Sequence, residues 1–555
     1  MFLPRLLLVG GLAVRALIRN DWCKMLESPV QSDTAQVAVA NKQSPVPDVK
    51  AITFVPSART QVVAIFFLGV LATCLYHPFA RAISGDNALY VYIAQSIVRG
   101  QAPYRDIVDI KGPGSVYISA IAMMAGKLFG IRDLIADRLV QMLMTGLLCS
   151  VTFLVGVDYL KNRMAAVIVA LFPLMVPKFM VWMTEGGQPK LSMLLCGMLA
   201  MLMISRDRPF WAGWWSMCSC LCWQPGLLFG GTAFLIFSKY LTNWRDGRAL
   251  KVLVGGATPL ATTVLYLWHI GALKYFWAYA FEYNYSVFGP DAERTPGAAF
   301  VHICKTIKRI FGLETIIVVC AAAGLILYIV YRLRARPKVL RFADCSDLYL
   351  DGLAIPPLVY LAFCLINFQA GPDLILFFPF FGLFAAYLLM RGDGLLRARG
   401  IPRPYGPSRI GGGVLVPATA ALFLVLIFGI AAYNWRQSYP SIQWEQNQFK
   451  TIANLLGPND TIYTHGSAEI LVLLGKQNLN SLVFVDWGMD DFVAHKWYGD
   501  SFQKIIDEME AAAPKVISLS RLGHVNHGKD WQRWAQEHYD PVPVNGYDVF
   551  VRKPN

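Results

Sequence analysis

The stretch beginning at residue 82, AISGDNALYVYIAQSIVRGQAPYRDIVDIKGPGSVY, holds the residues best suited to chemistry: Asp86, Asp106, Asp109 and Lys111. Apolar positions from Leu89 to Ile97 recur at helical spacing with charges at both ends. That pattern predicts an amphipathic helix at a membrane surface, with Asp86 just before it. Gly112, Pro113 and Gly114 then turn the chain back toward the bilayer. An acid, a second acid and a lysine beside lipid suit glycosyl transfer from a lipid phosphate: a carboxylate deprotonates the acceptor hydroxyl, and a cation stabilises the departing phosphate. The same residues also allow a plainer arrangement, in which Asp86 caps the helix and Asp109 and Lys111 form an exposed ion pair. This is the commoner fate of such groups.

The surrounding elements must hold this stretch at a bilayer. Of the 555 residues, 55% are hydrophobic and 15% charged, too apolar for a soluble enzyme, in which about a quarter of residues are charged. Apolar runs of about 17 to 25 residues, the length that crosses a bilayer core, recur between residues 60 and 433. The net charge of +14 sits in loops between these runs rather than on a basic face. It therefore reports topology and gives no reason to expect nucleic acid as a partner.

The predicted spans are 60–79, 138–157, 164–183, 189–204, 210–222, 226–240, 252–270, 315–331, 352–368, 374–390 and 413–433. A further run, 114–129, is short and carries Lys127, so its length fits a helix lying in the interface as well as a span. Leaving it uncrossed gathers the basic loops on one side, which is then cytoplasmic: Lys161 and Arg163, Arg206 and Arg208, Lys239 to Lys251, Arg332 to Arg341, and Arg391 to Arg409. The other side receives the first external loop (80–137), the turns 184–190, 223–225 and 369–373, the segment 271–314, and everything after 433. The reading is eleven crossings, N-terminus in and C-terminus out. Segments 210–222 and 226–240 meet at Trp223, Gln224, Pro225 and Gly226 and read as half-helices. Residues 1–59 are expected as a cytoplasmic or interfacial tail, because the apolar run 2–18 holds Arg5 and Arg15 and lacks a small-residue cleavage site.

From residue 434 the pattern changes to a small α/β domain on the extracytoplasmic side. Helical stretches are read at 441–456, 467–475, 500–512 and 529–538, and strands at 461–466, 482–485, 516–520 and 547–552. No phosphate-cradling glycine loop or nucleophile elbow occurs there. The 11 cysteines end at Cys364, which excludes a disulfide framework in the exported part. Cys218, Cys220 and Cys222 lack further ligands at metal spacing and read as small packing residues in an apolar helix. His77 and His269 are lone histidines, and metal dependence is left open, with a divalent ion compatible with the carboxylates.

GDNALYVYIAQ, then PYRDIVDIKGPG, then the apolar helix 114–129 resemble the first external loop of bacterial GT-C glycosyltransferases related to dolichyl-phosphate-mannose protein mannosyltransferases and lipid A aminoarabinose transferase. Those enzymes show an acidic pair in the first motif and a lysine followed by two prolines in the second. Here Asn87 stands for the second acid and Gly112 for the first proline. TEGGQPKLSMLL resembles the family's external turn with an acid, matched by Glu185. WQPGLL resembles a segment in which lysine is usual where Trp223 stands, and QAGPDLILFFPFFGL a late turn with histidine commonly at the position of Asp373.

The resemblance implies a GT-C-like, α-helical polytopic membrane protein that uses a polyprenyl-phosphate sugar donor and inverts the anomeric carbon. By position, Asp86 becomes the base, Lys111 a contact for the lipid phosphate, Asp109 an orienting or metal-contacting partner, and Arg105 and Arg138 further phosphate contacts. Glu185 and Glu314 stand at outer ends of spans, where a carboxylate is costly unless it faces a polar cavity; they join as substrate-binding candidates, though a solvated glutamate fits equally. The expected setting is the inner (plasma) membrane, with an extracytoplasmic acceptor (glycan, lipid or protein) held or selected by the C-terminal domain. A transporter or flippase of a lipid-linked sugar is the competing class, although no internal repeat relates the two halves. A non-catalytic scaffold fits the missing second acid and the missing lysine.

Overall fold

The apolar runs fold into helices, several of which stop where proline, glycine or charge interrupts them. In chain order these are α1 (Ala58–Cys74), α2 (Gly85–Val98), α3 (Gly114–Leu128), α4 (Asp133–Leu160), α5 (Arg163–Leu171), α6 (Pro177–Glu185), α7 (Pro189–Ser205), α8 (Pro209–Cys222), α9 (Leu227–Phe237) and α10 (Arg248–His269). They continue with α11 (Leu273–Trp277), α12 (Asn284–Phe288), α13 (Pro296–Phe311), α14 (Thr315–Val339), α15 (Cys345–Ile366), α16 (Phe378–Ala398) and α17 (Leu415–Arg436). Four of them, α6, α7, α8 and α13, begin on proline, whose fixed φ and missing N–H suit the first helical position. The computed structural model describes residues 57–83, 85–238, 247–288, 295–339, 345–368, 371–398, 415–457, 459–483, 488–520 and 522–554. Most of the N-terminal tail, parts of the basic loops after α9, α14 and α16, and residues 484–485 of the expected strand 482–485 lie outside the described residues.

Five described helices are long and apolar enough to cross a bilayer: α4, α10, the first 20 residues of α14, the segment Gly371–Asp393 that takes in most of α16, and α17. A sixth is the pair α5 and α6, which does not form the single helix expected over 164–183. A 3-10 turn at Phe172–Met175 separates the two, bending them by 68°. Pro173 and Pro177 cannot donate backbone hydrogen bonds and break the run there. The chain is a multi-pass membrane protein. Helices α10, α14 and α17 leave most of their apolar surface outside the protein, whereas α4 and Gly371–Asp393 are largely enclosed, as expected of peripheral and central helices in lipid. The 15 residues of α3 span about 22 Å at 1.5 Å per residue, short of a bilayer core of about 30 Å. Its exposed Ile121, with Leu128 and Phe129 at and just past its end, faces outward.

The C-terminal part continues with α18 (Ile442–Leu455), β1 (Ile462–His465), α19 (Ala468–Leu474), α20 (Met489–Tyr498), α21 (Phe502–Ala512), β2 (Val516–Leu519), α22 (Gly528–His538), β3 (Tyr539–Val544) and β4 (Tyr547–Arg552). The strands form one sheet in the order β1-β2-β4-β3: β1 runs parallel to β2, from Ile462 opposite Val516 to His465 opposite Leu519, and the other pairs are antiparallel. Leu482 and Val483 are not in a strand. The fourth strand is instead β3, hidden in the sequence by Pro541 and Pro543, and proline is tolerated there because β3 is an edge. Helix α20 was also not anticipated.

This α/β region packs straight onto the first loop. One core joins Tyr104 and Val108 to Phe276, Tyr283, Tyr463 and Trp531, and another joins most of α2 to Phe449, Ile470 and Val516. Backbone hydrogen bonds seal the contact: Val108 N donates to Ser481 O (2.9 Å) and Ala82 N to Pro440 O (2.8 Å). Residues Phe66–Asn555 accordingly form one compact unit.

Candidate active site

Helix α2 opens on Gly85 with φ of 55°, in the left-handed region that favours glycine. Asp86 lies within its first turn rather than before it. The rest of the helix is not the amphipathic surface helix that the spacing suggested: Asn87 through Ser96 are all buried. The reason is tertiary, since α3 covers one side and α19 another, so even polar Asn87, Gln95 and Ser96 are enclosed. Asp86 alone stays exposed, and its charge acts on both Asp109 and Lys111.

Asp109 is 1% exposed, and its Oδ1 accepts the backbone N–H of Lys111 (3.1 Å). Burial pushes its carboxyl up to about 6; the negative charge of Asp86 adds to that, and the Lys111 N–H and ammonium oppose it. The exposed Asp109–Lys111 ion pair does not form. The Lys111 ammonium instead bonds the Tyr90 hydroxyl and lies 4.5 Å from the Tyr90 ring centre. Loss of water holds its pKa below the usual lysine value, Lys190 pushes the same way, and Asp86, Asp109 and Asp373 oppose. The turn itself is clamped: Tyr104 OH donates to Lys111 O (2.7 Å), and Gln224 Nε2 and Asn284 Nδ2 both donate to Ile110 O (2.9 and 2.8 Å).

The electrostatic partners of Lys111 disclose two residues that sequence reasoning did not place in the site. Lys190, 7% exposed near the start of α7, pairs with Asp373 (Nζ to Oδ1, 2.8 Å), and its ammonium sits 4.3 Å from the Trp223 ring centre. Two glycines, Gly186 and Gly187, both with positive φ, lead the chain into this position. A Cβ on Gly186 would meet Asp137 Oδ2 at 2.4 Å, and Gly187 N donates to that oxygen (2.8 Å). A signal was present, since a lysine in the first turn of a helix opposes the helix dipole and needs compensation. The site thus gathers three carboxylates, Asp86, Asp109 and Asp373, around two ammonium groups.

No family model and no curated protein sequence matches this chain. The architecture does match solved structures. ArnT from Cupriavidus metallidurans, solved bound to undecaprenyl phosphate, aligns with a TM-score of 0.58 at 12% identity over 90% of this chain and 100% of that one. The oligosaccharyltransferase AglB from Archaeoglobus fulgidus, in complex with an inhibitory peptide and a dolichol-phosphate, gives 0.53 at 12% identity over 89% of this chain and 74% of that one. The chain has the GT-C fold.

On the GT-C frame, each departure from the expected motifs has a local physical account. Asn87 donates to Glu185 Oε2 (3.2 Å) and accepts from Gln188 Nε2 (3.2 Å), so an aspartate there would set a second carboxylate against Glu185. Gly112 cannot be proline or any residue with a Cβ without movement, because that atom would fall 2.1 Å from Leu221 O at the end of α8. Where a lysine is usual, the Trp223 ring receives the ammonium of Lys190 from another helix.

The remaining candidates stand apart from the Asp86 cluster to different degrees. Arg138, 1% exposed, spends its donors on four carbonyls: Glu185 (3.1 Å), Pro78 (2.7 Å), Arg81 (2.8 Å) and Ala82 (3.4 Å). Glu185 adjoins the cluster through Asn87 and lies in the field of Arg81 and Arg138. Arg105 is bidentate to Asp106 (2.7 and 3.0 Å) and donates to Ile270 O (3.0 Å). Glu314 ends the 3-10 turn before α14, where its charge acts on Tyr76. His77 stacks on Trp435 (3.8 Å) and Tyr439 (4.7 Å). Among the described residues the first-loop carboxylates form no group of three metal-ligating side chains; the group that does form is Asp490, Asp491 and His527.

Proposed function

We propose that this protein is an inverting membrane glycosyltransferase that moves a sugar from a polyprenyl-phosphate-linked donor to an extracytoplasmic glycan, lipid or protein. The observation that carries the reading is one exposed carboxylate, Asp86, acting on Lys111, which in turn senses Lys190, on a fold whose solved members bind undecaprenyl phosphate and dolichol-phosphate. In this reading Asp86 takes the proton of the acceptor hydroxyl as its oxygen attacks the anomeric carbon. The bond from that carbon to the phosphate oxygen breaks on the opposite face, and the lipid phosphate leaves with the electron pair. Lys111 and Lys190 offset its growing charge. Asp109 fixes the backbone of Lys111, Glu185 and Asn87 adjoin the cluster, and Glu314 stands apart from it beside Tyr76. Arg105, held by Asp106, and Arg138, whose buried guanidinium donates to four carbonyls, position the loop in this reading.

The purified protein in lipid nanodiscs, given synthetic polyprenyl-phosphate sugars and envelope extract, should release polyprenyl phosphate and form a product of opposite anomeric configuration. Failure with every donor class that restores a deletion strain's glycolipid and glycan profile refutes the reading. Eleven crossings with residues 434–555 as an extracytoplasmic domain complete the proposal. A reporter fused after residue 433 should be active only outside, and a cytoplasmic signal refutes that topology.

A further inference from the structure

A second cluster of ionisable groups, unconnected with the first loop's chemistry, occupies the C-terminal α/β region. It lies by the carboxyl ends of the parallel strands β1 and β2, the edge at which open α/β sheets bind ligands. His465 ends β1 and its Nδ1 bonds Ser520 O just past β2 (2.9 Å). A run of ring contacts leads outward from there: His465 to Trp531 (5.5 Å), Trp531 to Phe502 (5.5 Å), Phe502 to His527 (3.9 Å, planes 6° apart). The charge of Asp490 acts on His465 and on Tyr463.

We propose that Asp490, Asp491 and His527 hold one divalent transition-metal cation. Each offers a ligand atom, and the three atoms lie within 4.8 Å of one another. Metal–oxygen and metal–nitrogen bonds of about 2.0–2.2 Å span such a set after small side-chain rotations. Acids in the first turn of α20 would also serve simply to offset the helix dipole, but that role does not account for a carboxylate oxygen enclosed without a hydrogen-bond donor. Asp490 is 0% exposed; its Oδ2 accepts the His527 N–H (2.9 Å), and its Oδ1 is buried with no hydrogen-bond partner among the described residues. A carboxylate oxygen enclosed in this way costs stability unless something positive reaches it.

The histidine is built as metal-binding histidines are. Its Nδ1 pairs with Asp530 Oδ2 (3.1 Å), and Asp530 Oδ1 is in turn held by Arg533 Nη2 (2.7 Å). A carboxylate on one ring nitrogen fixes the tautomer that presents the other to an ion. That other nitrogen, Nε2, lies 2.7 Å from Asp491 Oδ1, and the face of the ring is stacked on Phe502. One imidazole and two carboxylates suit Mn2+, Fe2+ or Zn2+ rather than a thiophilic ion. The ion would pin the start of α20 to the start of α22.

The test uses the full-length protein in detergent micelles after EDTA treatment, titrated with MnCl2 while the signal of free Mn2+ is followed by electron paramagnetic resonance, with ZnCl2 as competitor. One Mn2+ should bind per chain and be displaced by Zn2+. His527→Gln, at a half-buried position, should weaken binding at least tenfold, as should Asp490→Asn. Asp530→Asn, which removes no ligand, should weaken it about tenfold to a hundredfold, whereas Asp86→Asn should leave it unchanged. Absence of stoichiometric binding overturns the proposal. So does binding that survives His527→Gln or is lost with Asp86→Asn. Should Asp490→Asn fail to fold, His527→Gln and Asp530→Asn still decide the matter.

Discussion

Asp86→Asn should separate rate from stability more sharply than any other change in this protein. The side chain is exposed in the first turn of α2 and hydrogen-bonds to no described residue, so the substitution breaks no hydrogen bond among the described residues. What the fold loses is a charge near a helix N-terminus, worth about 0.3–1 kcal/mol, together with that charge's attraction for the buried Lys111 ammonium. It also gains, because the like charge that raises the buried Asp109 carboxyl disappears. The net change in stability should stay within about 1 kcal/mol, a shift of a few degrees at most in melting temperature. If Asp86 is the general base, its loss removes about a hundredfold to ten-thousandfold in rate, equivalent to about 2.7–5.4 kcal/mol on the barrier. The assay is sugar transfer in nanodiscs beside separately measured donor binding and thermal unfolding. Asp109 should titrate at lower pH in the variant, since the neighbouring negative charge has gone. Transfer within about threefold of the parent rate, with normal unfolding, would refute the assignment of Asp86 as base, for which a hundredfold loss is the least expected.

Two further outcomes follow from buried charges. Lys190→Met combined with Asp373→Asn removes an enclosed ion pair from both sides, which avoids stranding one charge; melting should stay near the parent's while affinity for polyprenyl phosphate falls about tenfold to a hundredfold, as for loss of one charge-assisted contact. Unchanged equilibrium binding of the lipid would remove Lys190 from the donor site. The second outcome concerns Glu445, whose carboxyl is pushed up to about 7 by burial and, secondarily, by Glu469. Between about 4.5, its value in the unfolded chain, and about 7 the folded state binds the extra proton, so stability falls as pH rises through that window and levels off above it. Glu445→Gln should flatten the melting curve against pH between those values, and parallel curves for the two proteins would show that Glu445 does not supply the slope.

How much was legible in sequence depended on whether a feature is local. Helix starts at Pro189 and Pro209, the break at Trp223 to Gly226 and the strands 462–465 and 516–519 follow from short-range rules and stand close to where those rules put them. Burial of α2 is a tertiary fact: its alternating polar residues suggest a surface, and only the arrival of α19, some 380 positions later, encloses them. The break between α5 and α6 was written in Pro173 and Pro177, yet the hydropathy of the run outweighed it. Proline in β3 masked a strand because edge position cannot be known before the sheet order. At the candidate site, type and spacing single out Asp86, Asp109 and Lys111, which lie within 26 positions of one another. Lys190 and Asp373 were not joined to them, because their pairing crosses 183 positions.

That long-range pairing bears on how a fold keeps a site while its motif residues change. An ammonium group near a leaving phosphate acts through charge and distance, and neither depends on which helix carries it. Here the position expected to bear a lysine bears Trp223, and its indole instead supports the ammonium of Lys190 on a neighbouring helix, with Asp373 offsetting the cost of enclosing that charge. Asn87 follows the same logic: with Glu185 already 3.2 Å away, a neutral amide that donates to the carboxylate is more stable than a second acid. The turn at Gly112 is constrained by shape alone, since Leu221 O leaves no room for a side chain. Charge balance and available space are therefore properties of the assembled cluster, which no single motif position reports.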